Sequence, residues 1–164
     1  MMFAYMWIKN ENGKPVPGSV KEAGKEGSCE ILGMDYDIGI SANHDVQPPV
    51  LTRRRGPVHV EKPLDRATPW LQEAIDTGRK LGEIKIMCYR NEKARQEDQP
   101  FSMIFTGVQL TSIFVNIGPG FENDTPPHSM LETLGFRYDA FIWKDEQGDV
   151  VYEDPGDENP GEAA

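Results

Sequence analysis

Alternation of apolar and polar residues is the sequence feature that most constrains how this chain folds. The clearest run has an apolar side chain at every second position, at Leu32, Met34, Tyr36, Ile38 and Ile40. Because successive side chains of a β-strand point to opposite faces, this period of two predicts one strand with one face in a core. The intervening Asp35 and Asp37 are then expected to face solvent or a polar surface, and not to serve as a catalytic acid pair.

Six further segments carry strand signals, which consist of apolar, β-branched or aromatic residues next to turn residues. They cover residues 2–9, 57–62, 82–90, 101–117, 134–144 and 150–152. The last two predict a closing hairpin, and Gly107 predicts a bulge or bend. The 13 prolines and 16 glycines are typical of short strands and turns, and too many for a helical bundle.

A single segment carries helix signals. Thr68 is a candidate N-cap, Pro69 suits the first helical position, where its missing amide hydrogen costs nothing, and Gly78 marks the end. The apolar stripe of this helix consists of Trp70, Leu71, Ala74 and Ile75. A helix of about ten residues is marginal alone in water, so the stripe is expected to pack onto a sheet. The order of elements predicts a mainly β fold, a small antiparallel β-barrel of two sheets with one short α-helix packed at its side.

The negative charge of the chain is concentrated at one end. The formal charge is −10, and residues 145–164 hold eight acids and no base, which leaves the rest nearly neutral. This charge disfavours phosphate backbones and anionic membranes, so a dedicated nucleic-acid binder is not expected. We expect one folded domain over residues 1–152 and an acidic, disordered tail over residues 153–164.

Three consecutive arginines, Arg53, Arg54 and Arg55, are the one concentrated basic feature. They end a stretch, residues 41–55, that has a Pro-Pro pair and no periodicity and therefore predicts a long exposed loop. A nucleic-acid patch is the least favoured interpretation, because the arginines lack interleaved aromatic residues. A solvated cluster is a second interpretation. Docking against carboxylates of another subunit is favoured, because guanidinium groups pair well with carboxylates.

No catalytic, cofactor or metal site is predicted. His44, His59 and His128 stand apart from any HxH, HExxH or GxSxG signature, which favours solvated or packed side chains. Cys29 and Cys88 lie far apart without a CxxC spacing, which predicts plain thiols. The glycines match neither GxGxxG nor the P-loop pattern, so no nucleotide cofactor is expected.

The segment TRRRGPVHVEKPLDRATPWLQEAIDTG, residues 52–78, carries a family resemblance. The positions in register are Arg53, Pro57, Lys62, Asp65, Thr68, Pro69, Leu71, Ala74 and Gly78. In this spacing the chain resembles the haemolysin-coregulated protein family, the inner-tube protein of type VI secretion. The opening YMWIKNENGKPVPGSV, the segment EGSCEILG and the ending LETLGFRYDAFIWKDEQGD are also similar to that family, so the resemblance covers nearly the whole chain to about residue 152.

The resemblance implies a structural β-barrel protein without enzymatic activity, which assembles into homohexameric rings with a wide channel. The rings would stack into a tube that a contractile sheath drives outward, with a spike at the tip and a baseplate as further partners. The protein would be cytoplasmic before assembly and then secreted, and its channel would hold small effector proteins. We expect the contacts between subunits or rings to involve Arg53, Arg54, Arg55, Asp45, Lys62 and Asp65.

Two other functions are compatible with the same sequence. The chain would act chiefly as an effector-binding chaperone ring in the first, and as a phage-type tail tube protein in the second. A fused toxin domain is disfavoured, because the residues after Tyr152 are too few to bury a core. A membrane span is not expected either, because no apolar run approaches the necessary length of about 18–20 residues. The start has no signal-peptide pattern, which agrees with export through a dedicated apparatus.

Overall fold

The computed structural model describes residues 3–89, 101–118, 130–145 and 150–154, which form twelve strands and one helix. The strands are β1 (Phe3–Asn10), β2 (Pro15–Val16), β3 (Cys29–Ile31), β4 (Gly33–Asp35), β5 (Ile38–Asn43), β6 (Val50–Arg55), β7 (Val58–Pro63), β8 (Leu81–Tyr89), β9 (Phe101–Ile117), β10 (Met130–Arg137), β11 (Ala140–Lys144) and β12 (Val150–Asp154). The helix α1 spans Thr68–Asp76. The mainly β prediction is confirmed.

Ten strands form one large antiparallel sheet, and β5 and β6 form a separate two-stranded sheet. The order in the large sheet is β2-β1-β8-β9-β10-β7-β4, with β3 added to β1, β11 to β9 and β12 to β11. No ladder among the described strands joins the two ends, so the sheet is not closed and the predicted barrel is wrong in that respect. The reason is a change of partner at Leu32, since β3 pairs with β1 whereas β4 pairs with β7.

The long strand β9 connects the two halves of the large sheet. Its first half pairs with β8 and β11, and its second half, from Gln109 onward, pairs with β10. Near the junction Gly107 has φ = +61°, a left-handed conformation that glycine adopts without strain. The side chain of Asp139 lies where a β-carbon of residue 107 would stand. The predicted bulge or bend takes the form of this left-handed residue, since the pairing with β8 continues from Thr106 to Val108 without a shift of register.

The main core combines inward-facing side chains of the large sheet with one face of α1. The four predicted stripe residues of the helix, Trp70, Leu71, Ala74 and Ile75, are buried or packed against this core. Within the sheet Phe105 stacks on Phe141 with ring centroids 4.7 Å apart, and it meets Phe136 edge-on at 5.3 Å. Such aromatic pairs contribute about 0.5–1.5 kcal/mol each beyond the area they bury.

The C-terminal end of α1 matches its sequence signal, whereas the N-terminal end does not. The N-cap is Ala67, without a capping side chain, so the prediction that Thr68 caps the helix is wrong. The Thr68 hydroxyl is used elsewhere, because it accepts a hydrogen bond from the Asp65 amide at 3.0 Å and donates one to Glu132 at 2.9 Å. At the other end Gly78 has φ = +67°, and it follows the last turn as predicted.

The alternating run that begins at Leu32 does not form a single strand. Tyr36 and Asp37 separate β4 from β5, and the chain leaves the large sheet there. Tyr36 packs against the core, whereas Ile38 and Ile40 are 49% and 71% exposed. The period of two correctly indicates an extended chain. Its buried face is lost because the second half of the run pairs only with β6.

The exposed loop predicted over residues 41–55 is instead most of a β-hairpin. β5 and β6 pair in register from Ile38 opposite Arg55 to Asn43 opposite Val50. We call this hairpin, residues 38–55, the arm. Most side chains of β6 are exposed on both faces, so no apolar alternation marks β6 as a strand in the sequence.

The predicted closing hairpin is confirmed for β11 and β12, and β12 extends further than predicted. The predicted first strand over residues 134–144 is wrong in its extent, because residues 134–137 belong to β10, which pairs with β7 and β9. The strand β12 includes Glu153 and Asp154, which the sequence analysis assigned to the acidic tail, and Asp154 is buried. The rest of the predicted tail, residues 155–164, lies outside the described residues, as do the stretches 91–100 and 119–129 between predicted strands.

We predict that Gly107→Ala lowers the free energy of unfolding by about 2–4 kcal/mol, because left-handed strain adds to a collision. The new β-carbon would stand 2.8 Å from the Asp139 Cβ and closer still to its carboxylate. Gly13→Ala is the matched control, since Gly13 has φ = +77° but no atom within 4 Å of the built β-carbon. It should cost only the strain, about 1 kcal/mol. Urea unfolding measures both, and equal losses would contradict the collision.

Candidate functional site

The arm exposes apolar side chains and unpaired strand edges. Its exposed apolar residues are Ile38, Ile40, Val46, Val50 and Leu51. Ile40 and Leu51 are 71% and 66% exposed, well beyond what a core residue shows. Each strand of the arm has a single ladder partner among the described strands, so the outer edges present backbone donors and acceptors to a further chain. These features are typical of a surface that binds another protein.

The two faces of the arm differ in chemistry. Directly opposed residues of an antiparallel pair share a face, and Ile40 stands opposite Arg53 while Ala42 stands opposite Leu51. One face, which we call the apolar face, carries Ile38, Ile40, Ala42, Leu51, Arg53 and Arg55. The other, the polar face, carries Gly39, Ser41, Asn43, Val50, Thr52 and Arg54. The apolar face therefore combines aliphatic groups with two arginines.

Those two arginines contact one carboxylate of the C-terminal strand. Asp154 Oδ2 lies 3.4 Å from Arg53 Nη1 and 3.2 Å from Arg55 Nη1, and the Asp154 side chain is only 7% exposed. The Arg55 guanidinium also lies over the Tyr138 ring, 5.3 Å from its centroid. Burial raises the pKa of Tyr138 above its usual value, although the Arg55 charge opposes that rise. The arm and the large sheet thus meet through charged side chains.

The other charged residues of the arm face solvent. Arg54 Nη2 lies 3.7 Å from Asp37 Oδ2, and both side chains are largely exposed. Asp45 is exposed in the turn, where its amide donates a hydrogen bond to Asn43 Oδ1 at 3.0 Å. An exposed pair of this kind contributes at most about 1 kcal/mol to stability. These charges are therefore available to a partner at little cost to the fold.

A second charged cluster lies inside the protein, and we call it the buried lysine cluster. Lys62 of β7 is fully buried, and its ammonium donates to Asp65 Oδ1 at 2.8 Å, to the Pro63 carbonyl at 2.9 Å and to Glu132 of β10. Glu132 also accepts the hydroxyl hydrogen bond from Thr68 of α1. Its other oxygen, Oε2, has no hydrogen-bond partner among the described residues. The cluster joins two strands, a loop and the helix.

The cluster keeps Lys62 charged. Burial opposes the ammonium form, but hydrogen bonds to Asp65 and Glu132 outweigh that penalty and raise the pKa of Lys62 above its usual value. Burial and the Asp65 charge also raise the pKa of the neighbouring Cys29 thiol, which disfavours the thiolate. Cys29 and Cys88 are both free, so the plain-thiol prediction is confirmed.

The structure divides the six predicted contact residues into two groups. Asp45, Arg53, Arg54 and Arg55 belong to the arm, where the first three reach solvent and Arg55 lies mostly beneath the surface. Lys62 and Asp65 belong to the buried lysine cluster, and their charges are satisfied within one chain. Only the arm residues are therefore placed where a neighbouring subunit could contact them.

Sequence reasoning missed Glu132 and Asp154. For Glu132 a signal exists, because it lies two and four residues before Leu134 and Phe136 and shares their buried face of β10. A carboxylate at an apolar-face position indicates a buried partner of opposite charge. Asp154 carries no such signal, since it lies in a run of acids and its burial depends on arginines far away in the sequence.

The remaining chemical candidates form isolated contacts. His59 Nδ1 lies 3.3 Å from Asp35 Oδ1 at the surface, and His44 is exposed, while His128 lies outside the described residues. Over residues 3–89, 101–118, 130–145 and 150–154, no group of three or more His, Cys, Asp or Glu could hold a metal ion. The helix described there is too short and too polar to cross a membrane.

Solved structures with the same fold include two proteins named Hcp. Hcp1 from E. coli EAEC 042 superposes with a TM-score of 0.76 at 24% identity, covering 93% of this chain and 97% of that one. Secreted protein Hcp3 from Pseudomonas aeruginosa gives 0.71 at 19% identity, covering 94% and 97%. At sequence identities of 24% and 19%, the structural similarity shows a shared fold.

The sequence comparisons identify the family. The family described as "Type VI secretion system effector, Hcp" matches residues 5–144. A Pseudomonas aeruginosa protein named "Major exported protein" is 26% identical over 133 residues, which is 79% of this chain and 75% of that protein. The chain therefore belongs to the Hcp family of type VI secretion, and the resemblance found in the sequence is confirmed.

We predict that Lys62→Met lowers the free energy of unfolding by about 3–5 kcal/mol, because it leaves the Glu132 charge buried without a partner. The matched control is Lys9→Met, since Lys9 is half-exposed and lies 3.4 Å from Glu83 at the surface. That change should cost at most about 1 kcal/mol. Chemical denaturation of both variants gives the comparison.

The double variant Lys62→Met with Glu132→Leu removes the ammonium and the fully buried carboxylate and should recover a large part of the stability lost by Lys62→Met, because the remaining carboxylate, Asp65, keeps its hydrogen bond from the Ala67 amide. It also covers the case in which the single variant fails to fold. A double variant as unstable as the single variant would contradict the assignment of the loss to an uncompensated charge.

Proposed function

We propose that this chain is the structural tube protein of a type VI secretion system. Six copies form a ring, and rings stack into the tube that the sheath propels together with the spike from a baseplate. Membership of the Hcp family and the shared fold support the proposal. In this proposal the protein catalyses no reaction and needs no cofactor.

The observation that carries the proposal is the arm. Burying an exposed Ile or Leu side chain contributes about 1.5–3 kcal/mol, and the apolar face offers Ile40 and Leu51 at high exposure. The partner that we assign to the arm is a second copy of this chain in the adjacent ring. Arg54 and Asp45 lie on the same arm, and their opposite charges would orient the contact.

A ring of identical copies joins two different surfaces of each neighbour, because a cyclic contact is head-to-tail. The chain offers a second exposed apolar surface, where β9 ends and β10 begins. Its exposed residues are Phe114, Val115, Ile117 and Met130. Two separate apolar surfaces on one chain fit an assembly that uses one contact within rings and another between them.

Export and effector carriage are further parts of the proposal. The family description calls its members effectors, and the Pseudomonas aeruginosa relative is named for being exported. We propose that the chain is made in the cytoplasm, leaves with the tube and carries small effector proteins in the ring channel. Loss of effectors on deletion of the gene, with sheath contraction intact, would instead favour the effector-binding ring as the main role.

Light scattering after size exclusion, with negative-stain images of the same peak, tests the ring. We expect a mass six times that of the 18.4 kDa chain and annular particles. A monomer that persists at high concentration, with no rings, would contradict the tube proposal and leave the fold unaffected.

We predict that Ile40→Lys abolishes stacking, or raises the concentration needed for it at least about tenfold, because 1.4 kcal/mol of lost burial is a factor of ten. Ser41→Lys is the matched control, since it introduces the same charge one residue away, on the polar face of the arm. It should stack normally. Both positions are exposed, so the free energy of unfolding of each variant should stay within about 0.5 kcal/mol of the original.

Electron microscopy counts stacked rings against single rings in both variants. Equal stacking by Ile40→Lys and the original protein would remove the apolar face from the contact between rings. Loss of stacking in Ser41→Lys as well would contradict the assignment of the contact to one face.

A further inference from the structure

We propose that Asp154 is a positioning residue that sets the direction of the arm relative to the large sheet. Its carboxylate acts through Arg53 and Arg55. The consequence for ring stacking rests on the function proposed above, whereas the positioning of the arm does not.

The first support is that backbone pairing leaves the direction of the arm open. Among the described strands, β5 and β6 have no ladder to the large sheet. At the base of the arm the Gly56 amide donates to the Asp37 carbonyl at 2.9 Å, which closes the hairpin on itself. The backbone link of the arm to β4 and β7 is limited to residues 36–37 and 56–57, so side-chain contacts with the large sheet add to what sets its direction. One of them is the Arg137 guanidinium, which donates to the Arg55 carbonyl at 3.5 Å.

The second support is the geometry at Asp154. One oxygen, Oδ2, lies 3.2 Å from Arg55 Nη1 and 3.4 Å from Arg53 Nη1. These arginines are two residues apart on β6, so they project from the same face of the arm. A carboxylate between two guanidinium groups on one face constrains that face more than a single ion pair would.

The third support is that Asp154 is itself fixed to the large sheet. It pairs with Phe141 in the ladder between β11 and β12, and the Phe141 side chain is buried in the main core. The Tyr138 ring beneath Arg55, 5.3 Å away, belongs to the same core region. The core therefore fixes the position of Asp154, and the ion pairs of Asp154 with Arg53 and Arg55 in turn hold the arm.

Burial makes this contact more than a surface ion pair. The Asp154 side chain is 7% exposed and that of Arg55 is 16% exposed, so neither charge is well solvated. Removing the carboxylate would leave the Arg55 charge partly buried with less compensation, and rotation of the arm toward water would relieve it. We therefore expect the arm to move, while the large sheet keeps its structure.

Trypsin tests how firmly the arm is held, because it cleaves after arginine where the backbone opens locally. We predict that Asp154→Asn speeds cleavage after Arg54 at least fivefold, measured by mass spectrometry of the fragments under native conditions. Glu153→Gln is the matched control, since it removes one negative charge from the adjacent, exposed position of β12. It should leave the cleavage rate within twofold of the original.

Combining the variants shows whether Asp154 acts through Arg53 and Arg55 or has a general structural role. Arg53→Gln with Arg55→Gln keeps Arg54 as the cleavage site and should speed cleavage as much as Asp154→Asn does. Combining all three changes should add less than twofold to either. Independent, multiplying effects, or a cleavage rate unchanged in Asp154→Asn, would overturn the proposal.

Stacking gives the second measurement. If rings of the original protein stack, rings of Asp154→Asn should form normally but stack at least tenfold less, and Glu153→Gln should stack as the original does. If the original forms no stacks, the proposed function fails and the trypsin result still decides on Asp154. Normal stacking by Asp154→Asn despite fast cleavage would overturn the link between arm direction and assembly.

Discussion

The buried charge of Lys62 is the interaction on which the rest of this fold depends. An ammonium group removed from water is tolerated only with well-placed acceptors, and Asp65, Glu132 and the Pro63 carbonyl supply them. Because these groups come from β7, β10 and the turn before α1, satisfying one charge requires the sheet and the helix to meet in one arrangement. Thr68 continues the cluster into the first turn of the helix through its hydrogen bond to Glu132.

Different interactions hold the arm and the rest of the described protein, which we call the body. The body is held by strand ladders and a continuous core, whereas the arm is a separate two-stranded ribbon. Its contacts with the body include the ion pairs of Arg53 and Arg55 with Asp154 and the packing of Arg55 over Tyr138. An element held by a few charged contacts is easier to redirect than one held by a ladder. An arm that can be redirected suits the proposed contact, in which it must fit one site on a neighbouring copy.

Local signals predicted most of the strands and the helix stripe, because both depend on neighbouring residues alone. The same signals failed where the burial or hydrogen bonding of a residue depends on the tertiary structure. Ile38 and Ile40 continue the alternation of Met34 and Tyr36, yet they lie in the arm, since periodicity records that a strand has two faces and not which face a core will cover. Thr68 has the right side chain for an N-cap, but Glu132 and the Asp65 amide bind its hydroxyl instead.

The sequence by itself determined the mainly β class, the special backbone position at Gly107, the helix after residue 67 and the family, because these follow from periodicity, backbone freedom and residue spacing along the chain. Only the tertiary structure decided that the sheet stays open, that residues 41–55 form an arm, and that Lys62 and Asp154 find their partners. The physical reason is distance along the chain. A charge is satisfied by whatever the fold brings within a few ångströms, and for Lys62 and Asp154 those groups include residues from remote parts of the sequence.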